Sequence, residues 1–178
     1  MRMGGASAPP LCFLLLLNEK TFYKMGHFDK LAVTNVLVGG QIKELAVQDA
    51  GDAAVTVSDT TRYLNCNADV TASRVVTMPA ATRGSAFRAF FSVEQAGNDR
   101  VFTCAGSDTF EGNIFTSVAG NAAGDGDVVA IANTTVSITV VDDTNIGSYI
   151  DFFCMDEGRW SVIGHLVVDA VGSVPTLA

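Results

Sequence analysis

The sequence predicts an all-β fold, namely a single β-sandwich or β-barrel domain preceded by an N-terminal arm. From residue 53 onward, apolar and polar residues alternate with a period of two, which is the pattern of a strand with one buried face. The alternating runs are short and are separated by turns rich in glycine and aspartate. No stretch after Gly51 has a convincing helical period. Repeated short strands of this kind favour a sandwich or barrel over an α/β fold.

The N-terminal part divides into two segments. Residues 1–24 contain the apolar run "LCFLLLL", which is too short to span a bilayer and lacks a good cleavage site after it. We interpret residues 1–24 as a non-native upstream extension, with a signal-like segment or an ordered extension as alternatives, and Met25 as the biological start. Residues 25–50 form the arm, in which "QIKELAVQDA" (41–50) is a candidate helix or an additional strand.

Residues 51–178 form the predicted β domain. Its clearest strands are "AVTVSD", "AFRAFFSVE" and "TTVSITVVDD". The residues that share the buried sides are Val55 and Val57, then Phe87, Ala89, Phe91 and Val93, then Val136, Ile138 and Val140. Pro79 is expected to end a strand, and Gly84 to allow a sharp turn into the next one.

Composition limits the classes of function. The chain is 48% hydrophobic and 17% charged, which excludes a disordered chain. Its net charge is −8 and the arginines lie far apart in sequence, so a basic patch for nucleic acid is not expected. The four cysteines are widely spaced, without paired ligands for a structural zinc ion. Cys104 and Cys154 are interpreted as buried free thiols in strands, and we expect assembly in a reducing compartment.

No motif indicates catalysis, and we expect neither an enzyme nor a cofactor or metal site. The two histidines, His27 and His165, have no sequence setting that suggests a base for a serine or cysteine nucleophile. "GDGD" at 124–127 lacks most ligands of a calcium loop and is interpreted as a turn. "VDD" ending at Asp143 is interpreted as a solvated strand end, and Asn133 in "NTT" is a glycosylation acceptor only in a secreted protein.

One stretch carries a resemblance to a known class of proteins. "VVTMPAATRG" (75–84) resembles the "tvtLPaatxG" signature of virion structural proteins of tailed bacteriophages, with Met78 in place of the usual leucine. "FRAFFSVEQAGNDRVFTCAGSDTFEGN" and then "EGRWSVIG" (157–164) continue the same pattern. The resemblance covers roughly residues 53–169 and implies a buried Trp160. The class includes tail fibres, head fibres and capsid decoration proteins, and no appended receptor-binding tip is expected in this chain.

The resemblance and the small size together imply a capsid decoration (cement) protein. Such a protein binds the major capsid protein lattice and stabilises the head, often as a homotrimer. It would be made in the host cytoplasm and lie on the capsid exterior of the virion, with no nucleic acid and no membrane as partners. The apolar arm is the expected capsid contact, although its side chains could equally fill the domain's own core: Phe28, Leu31, Val33, Val36 and Leu37.

The alternative is a tail fibre or baseplate module that binds a receptor or a carbohydrate. Aromatic side chains exposed together on one face of the domain would favour this alternative. The candidates for such a face are Tyr63, Tyr149 and Phe153.

Overall fold

The computed structural model describes residues 46–120 and 126–178, and all regular structure within these ranges is β-strand. The predicted extension and almost all of the predicted arm therefore lie outside the described residues. In chain order the strands are β1 (Val47–Asp49), β2 (Val55–Thr56), β3 (Tyr63–Cys66), β4 (Arg74–Thr77), β5 (Ala86–Phe91), β6 (Arg100–Thr103), β7 (Thr109–Val118), β8 (Val128–Thr135), β9 (Ser137–Val140), β10 (Tyr149–Asp156), β11 (Arg159–Val168) and β12 (Thr176–Leu177).

These strands form two sheets that pack on each other as a sandwich. The larger sheet has seven strands in the order β1-β3-β5-β10-β11-β7-β8, and the smaller has five in the order β12-β9-β6-β4-β2. From β1 to β7 the chain alternates between the two sheets, and neighbouring strands within each sheet are therefore parallel at β1-β3-β5 and at β2-β4-β6. A parallel neighbour needs a crossover, and here a strand of the opposite sheet provides it. The all-β prediction is confirmed, as a sandwich.

Aromatic side chains fill the space between the sheets. The ring of Phe152 lies 5.0 Å from Phe87, 5.3 Å from Phe102 and 5.8 Å from Phe110 between centroids. Phe102 comes from the five-stranded sheet and the other three from the seven-stranded sheet, so this cluster joins the two layers. Trp160 packs edge-on against Phe87 at 5.9 Å and is fully buried, as the resemblance implies. Large buried aromatic surfaces dominate core energetics, and this cluster is the centre of the core.

The predicted alternation is confirmed in β5, where Phe87, Ala89 and Phe91 are buried. The turn before β5 is also as predicted, because Gly84 has φ +88° and its N–H donates a hydrogen bond to the carbonyl of Cys154 at 2.9 Å. A positive φ of this size is one that glycine adopts without steric cost.

The expected burial of Val136 is wrong, since its side chain is 45% exposed. Strand β8 ends at Thr135 in the seven-stranded sheet, and β9 begins at Ser137 in the five-stranded sheet. The chain passes between the layers at Val136, so the inward side of the alternation changes there. Within β9, Ile138 and Val140 are fully buried as predicted.

The candidate helix at 41–50 is not helical in the part that the structure describes. Residues 47–49 form β1, which pairs in parallel with β3 at the edge of the seven-stranded sheet. The strand alternative therefore holds for these residues. The sequence pattern predicts that the β domain starts at residue 51, whereas β1 lies before that residue.

Candidate functional site

The solvent-facing side of the seven-stranded sheet gathers chemically distinctive side chains from several strands. We call it the outer face. It carries residues from five neighbouring strands, β3, β5, β10, β11 and β7: Tyr63, Arg88, Phe90, Phe115, Tyr149, Asp151, Phe153, Ile163 and His165. Strand register places them there, because residues two apart on a strand share one face of the sheet.

The three aromatic residues singled out from the sequence lie on this one face. Tyr149 and Phe153 are on the same side of β10, and Tyr63 is on the same side of β3. Each is half-buried. The ring of Tyr63 meets Phe90 edge-on at 6.3 Å, and Tyr149 meets the His165 ring at 6.4 Å. The alternation in β5 places Phe90 on the outward side of the strand, and this signal could have added Phe90 to the aromatic candidates.

An ion pair lies at the centre of the outer face. The Arg88 guanidinium donates from Nε to Asp151 Oδ1 and from Nη2 to Asp151 Oδ2, both at 2.7 Å. The guanidinium carbon also lies 4.3 Å from the centroid of the Tyr149 ring. The hydrogen bonds that Arg88 donates to Asp151 raise the pKa of Arg88 above its usual value. A two-point pair of this geometry holds both side chains in one orientation and leaves the centre of the face without net charge.

Shallow, open depressions mark the outer face. One, of about 490 Å³, is lined by Arg62, Tyr63, Arg88, Asp151 and Phe153 among others. A neighbouring one, of about 480 Å³, lies between Glu111, Asn113, Asn133, Phe153 and Ile163. Small-molecule sites are usually enclosed clefts, whereas these depressions open widely to solvent. Their shape suits a protein surface or an extended ligand better than a small metabolite.

Apolar side chains surround the central ion pair. Ile163 is 49% exposed and lies opposite Asp151, while Phe115 is 45% exposed and lies opposite His165. Exposed aromatic and aliphatic groups next to a rigid arginine are the composition found at the centres of protein interfaces. Phe115 and Ile163 were not recognisable from the sequence, because an outward apolar residue in a strand looks the same in sequence as an inward one.

His165 makes contacts that the sequence did not indicate. Its Nε2 lies 3.0 Å from Ser117 Oγ, so a hydroxyl and an imidazole are within hydrogen-bond reach on the outer face. A catalytic pair also requires a third group that orients the imidazole. Among the described hydrogen bonds, His165 has Ser117 as its partner and no carboxylate. This fits the interpretation of His165 as a satisfied histidine, and His27 lies outside the described residues.

The acidic positions considered from the sequence do not come together. Asp127 is exposed and its backbone N–H donates to Thr116 Oγ1, whereas Asp143 accepts a hydrogen bond from the Ser173 hydroxyl. Residue 125 lies outside the described ranges. Across residues 46–120 and 126–178, no three His, Cys, Asp or Glu side chains are arranged to hold a metal ion. Asn133 is exposed on β8.

The burial predicted for the free thiols of Cys104 and Cys154 is confirmed, although Cys104 directly follows β6 and only Cys154 lies in a strand. Cys66, Cys104 and Cys154 are free and buried. Burial raises the pKa of Cys66 and of Cys104 to about 12, because the apolar surroundings disfavour the thiolate. The Cys154 thiol donates to the carbonyl of Asp156 at 3.0 Å. Since the thiolate is the reactive form, these cysteines are inert side chains of the core.

The predicted capsid-contact residues of the arm all lie outside the described residues: Phe28, Leu31, Val33, Val36 and Leu37. Within the described part of the chain there is no helix long and apolar enough to cross a membrane.

Comparison with protein-family models, with curated proteins and with solved structures found no match for this chain.

Proposed function

We propose that this chain is a structural virion protein of a tailed bacteriophage, specifically a capsid decoration protein that binds the major capsid protein lattice. The observation that carries the proposal is the outer face, which is broad, open and rich in exposed apolar side chains around a neutral ion pair. The β-sandwich fold is also what the resemblance at residues 75–84 implies. Binding, rather than catalysis, is the activity that this surface supports.

A decoration protein needs a broad binding surface, and the outer face provides one. Many copies bind one shell, so contacts that are weak individually give strong retention when the subunits also contact one another. The exposed side chains of Phe115 and Ile163 supply apolar area that a partner can cover. The net charge of −8 keeps free subunits soluble and away from packaged nucleic acid.

The first test is the copy number of this protein in purified particles of the phage that encodes it. Quantitative mass spectrometry would compare this chain with the major capsid protein. A ratio near one supports a decoration protein on the capsid lattice. A ratio of a few per cent would indicate a tail protein instead. Absence from the particle would overturn the proposal.

A second test asks whether the outer face makes the contact. Ile163→Lys places a charge on this face, and Val75→Lys is the matched control, because Val75 is 42% exposed on the opposite sheet. We expect Ile163→Lys to weaken binding to undecorated capsids by roughly tenfold or more, as for an interface residue worth over 1.4 kcal/mol. Equal binding of the two variants would exclude the outer face as the contact.

A tail module that binds a carbohydrate is the second candidate, and one observation favours it. Tyr63, Tyr149 and Phe153 share the outer face with the Arg88–Asp151 pair. Aromatic rings can stack on sugar rings, while a fixed guanidinium and carboxylate can hydrogen-bond hydroxyl groups. Binding of the protein to a glycan array that is lost in Tyr149→Ala but retained in Val75→Lys would favour this function over capsid decoration.

A further inference from the structure

Strand β8 forms one edge of the seven-stranded sheet, and no other described strand pairs with its outer side. It is eight residues long. The other three edge strands of the sandwich, β1, β2 and β12, have only two or three residues each. Natural proteins keep edge strands short to prevent association, so β8 departs from that rule.

The direction of the free backbone groups follows from the pairing with β7. The N–H of Thr116 donates to the carbonyl of Asp127 at 2.8 Å, and β7 and β8 are antiparallel with Phe115 opposite Val128. In an antiparallel pair, alternate residues direct both backbone groups to the partner strand. Val128 and Ala130 therefore direct their N–H and C=O groups to the free edge.

The side chains of β8 offer none of the usual protection of an edge. The strand reads "VVAIANTT" and contains no charged residue and no proline, although the whole chain has a net charge of −8. The two residues whose backbone faces the free edge, Val128 and Ala130, are exposed. A second copy of a charged edge would meet its own like charges, whereas a second copy of this edge meets none.

We propose that β8 pairs antiparallel with β8 of a second copy of this chain, across a twofold axis at Ala130. In this register Ala130 lies opposite its own copy, and Val128 lies opposite Ala132 of the second copy. The two seven-stranded sheets then form one continuous sheet, and the outer faces of both copies lie side by side. The contact is twofold, which distinguishes it from the trimer that the resemblance implies, and it does not depend on the proposed function.

Disulfide trapping tests the register directly. In a hydrogen-bonded antiparallel pair the Cα atoms of opposite residues are about 5.5 Å apart, a distance that a disulfide spans. We expect Ala130→Cys, in a Cys12→Ser background, to form a covalent dimer under mild oxidation, because Cys66, Cys104 and Cys154 are buried. Val47→Cys on β1, exposed at the opposite edge of the same sheet, is the matched control and should remain monomeric. Equal cross-linking of both variants overturns the proposal.

Sedimentation of the full chain tests the contact without a cross-link. We expect a monomer–dimer equilibrium for the unmodified protein and at least a tenfold weaker dimer for Ala130→Pro, which removes an N–H that faces the free edge. Ala130→Lys sets two like charges opposite each other and should weaken the dimer to the same degree. This variant tests the contact even if the proline variant does not fold. A protein that stays monomeric, forms only trimers, or dimerises equally well in Ala130→Lys contradicts the pairing.

Discussion

Arg100 is the most informative residue to change, because it is a fully buried cation that forms no direct ion pair with a carboxylate in the described part of the chain. Its Nε donates to Gln95 Oε1 at 2.9 Å, and its Nη2 donates to the carbonyls of Gly51 and Ala68, each at 2.8 Å. Burial lowers the pKa of its guanidinium below the usual value. Arg100 thus holds three loop segments against β6.

The expected effect of Arg100→Met follows from these contacts. The carbonyl of Ala68 keeps a hydrogen bond from Gln95 Nε2, so two acceptors lose their donor: the half-buried Gly51 O and the buried Gln95 Oε1. Each orphaned acceptor costs about 1–3 kcal/mol. Removal of a buried charge, and of Nη1, which has no hydrogen-bond partner, offsets part of this cost. We expect a net loss of about 2 kcal/mol in the free energy of unfolding.

Urea unfolding of the full chain provides the assay. Trp160 is the single tryptophan and is fully buried, so its fluorescence reports on the core of the sandwich. Arg100→Lys is the comparison variant, because it keeps the charge but cannot reach all three acceptors from one nitrogen. We expect Arg100→Lys to be less stable than Arg100→Met.

Two results would contradict the expected role of Arg100. If Arg100→Met is as stable as the unmodified protein or more stable, the cost of burying the guanidinium exceeds the value of its hydrogen bonds. If Arg100→Lys is the more stable of the two variants, then the charge itself, rather than the geometry of the hydrogen bonds, stabilises this site.

Three further predictions use the same unfolding assay. Phe91→Ala should lower stability by about 3–5 kcal/mol, because Phe91 is buried in the core; a loss below about 1 kcal/mol would contradict its inward register. Gly112→Ala should cost roughly 3 kcal/mol, since Gly112 has φ +140° and an added Cβ would lie 2.0 Å from the Val162 carbonyl oxygen; an unchanged midpoint would contradict this packing. Hydrogen bonds from Arg74 and Thr71 lower the pKa of Asp52 to about 2 from 3.8, so ionised Asp52 stabilises the fold above pH 4, and this stabilisation is lost as the pH falls towards 2. Asp52→Asn should make the free energy of unfolding decline less steeply with falling pH. An equally steep decline in the variant would show that Asp52 does not contribute.

Much of the fold could be predicted because a strand with one buried face has a local signature. The inward side of β5 is readable from the alternation of phenylalanine and alanine with arginine, without knowledge of any partner strand. The turn at Gly84 is equally local, because its positive φ is a property of one residue. The alternation failed at Val136, where the chain changes sheets, since a change of layer reverses which side is inward.

The candidate site could be predicted only in part. Tyr63, Tyr149 and Phe153 were recognised as aromatic residues in strands, and the structure brings them to one face. Their relation to Arg88 and Asp151 was not recognisable, because those two residues are 63 positions apart and become opposite each other only through the pairing of β5 with β10.

The all-β class, the inward sides of individual strands and the main turns can be inferred from the amino-acid sequence, because each depends on residues that are neighbours in the chain. The order of strands, the outer face, the free edge at β8 and the burial of Arg100 are visible only in the folded molecule. These features depend on which distant strands pair and in what register. Pairing is decided by the packing of the whole core rather than by any short stretch of residues.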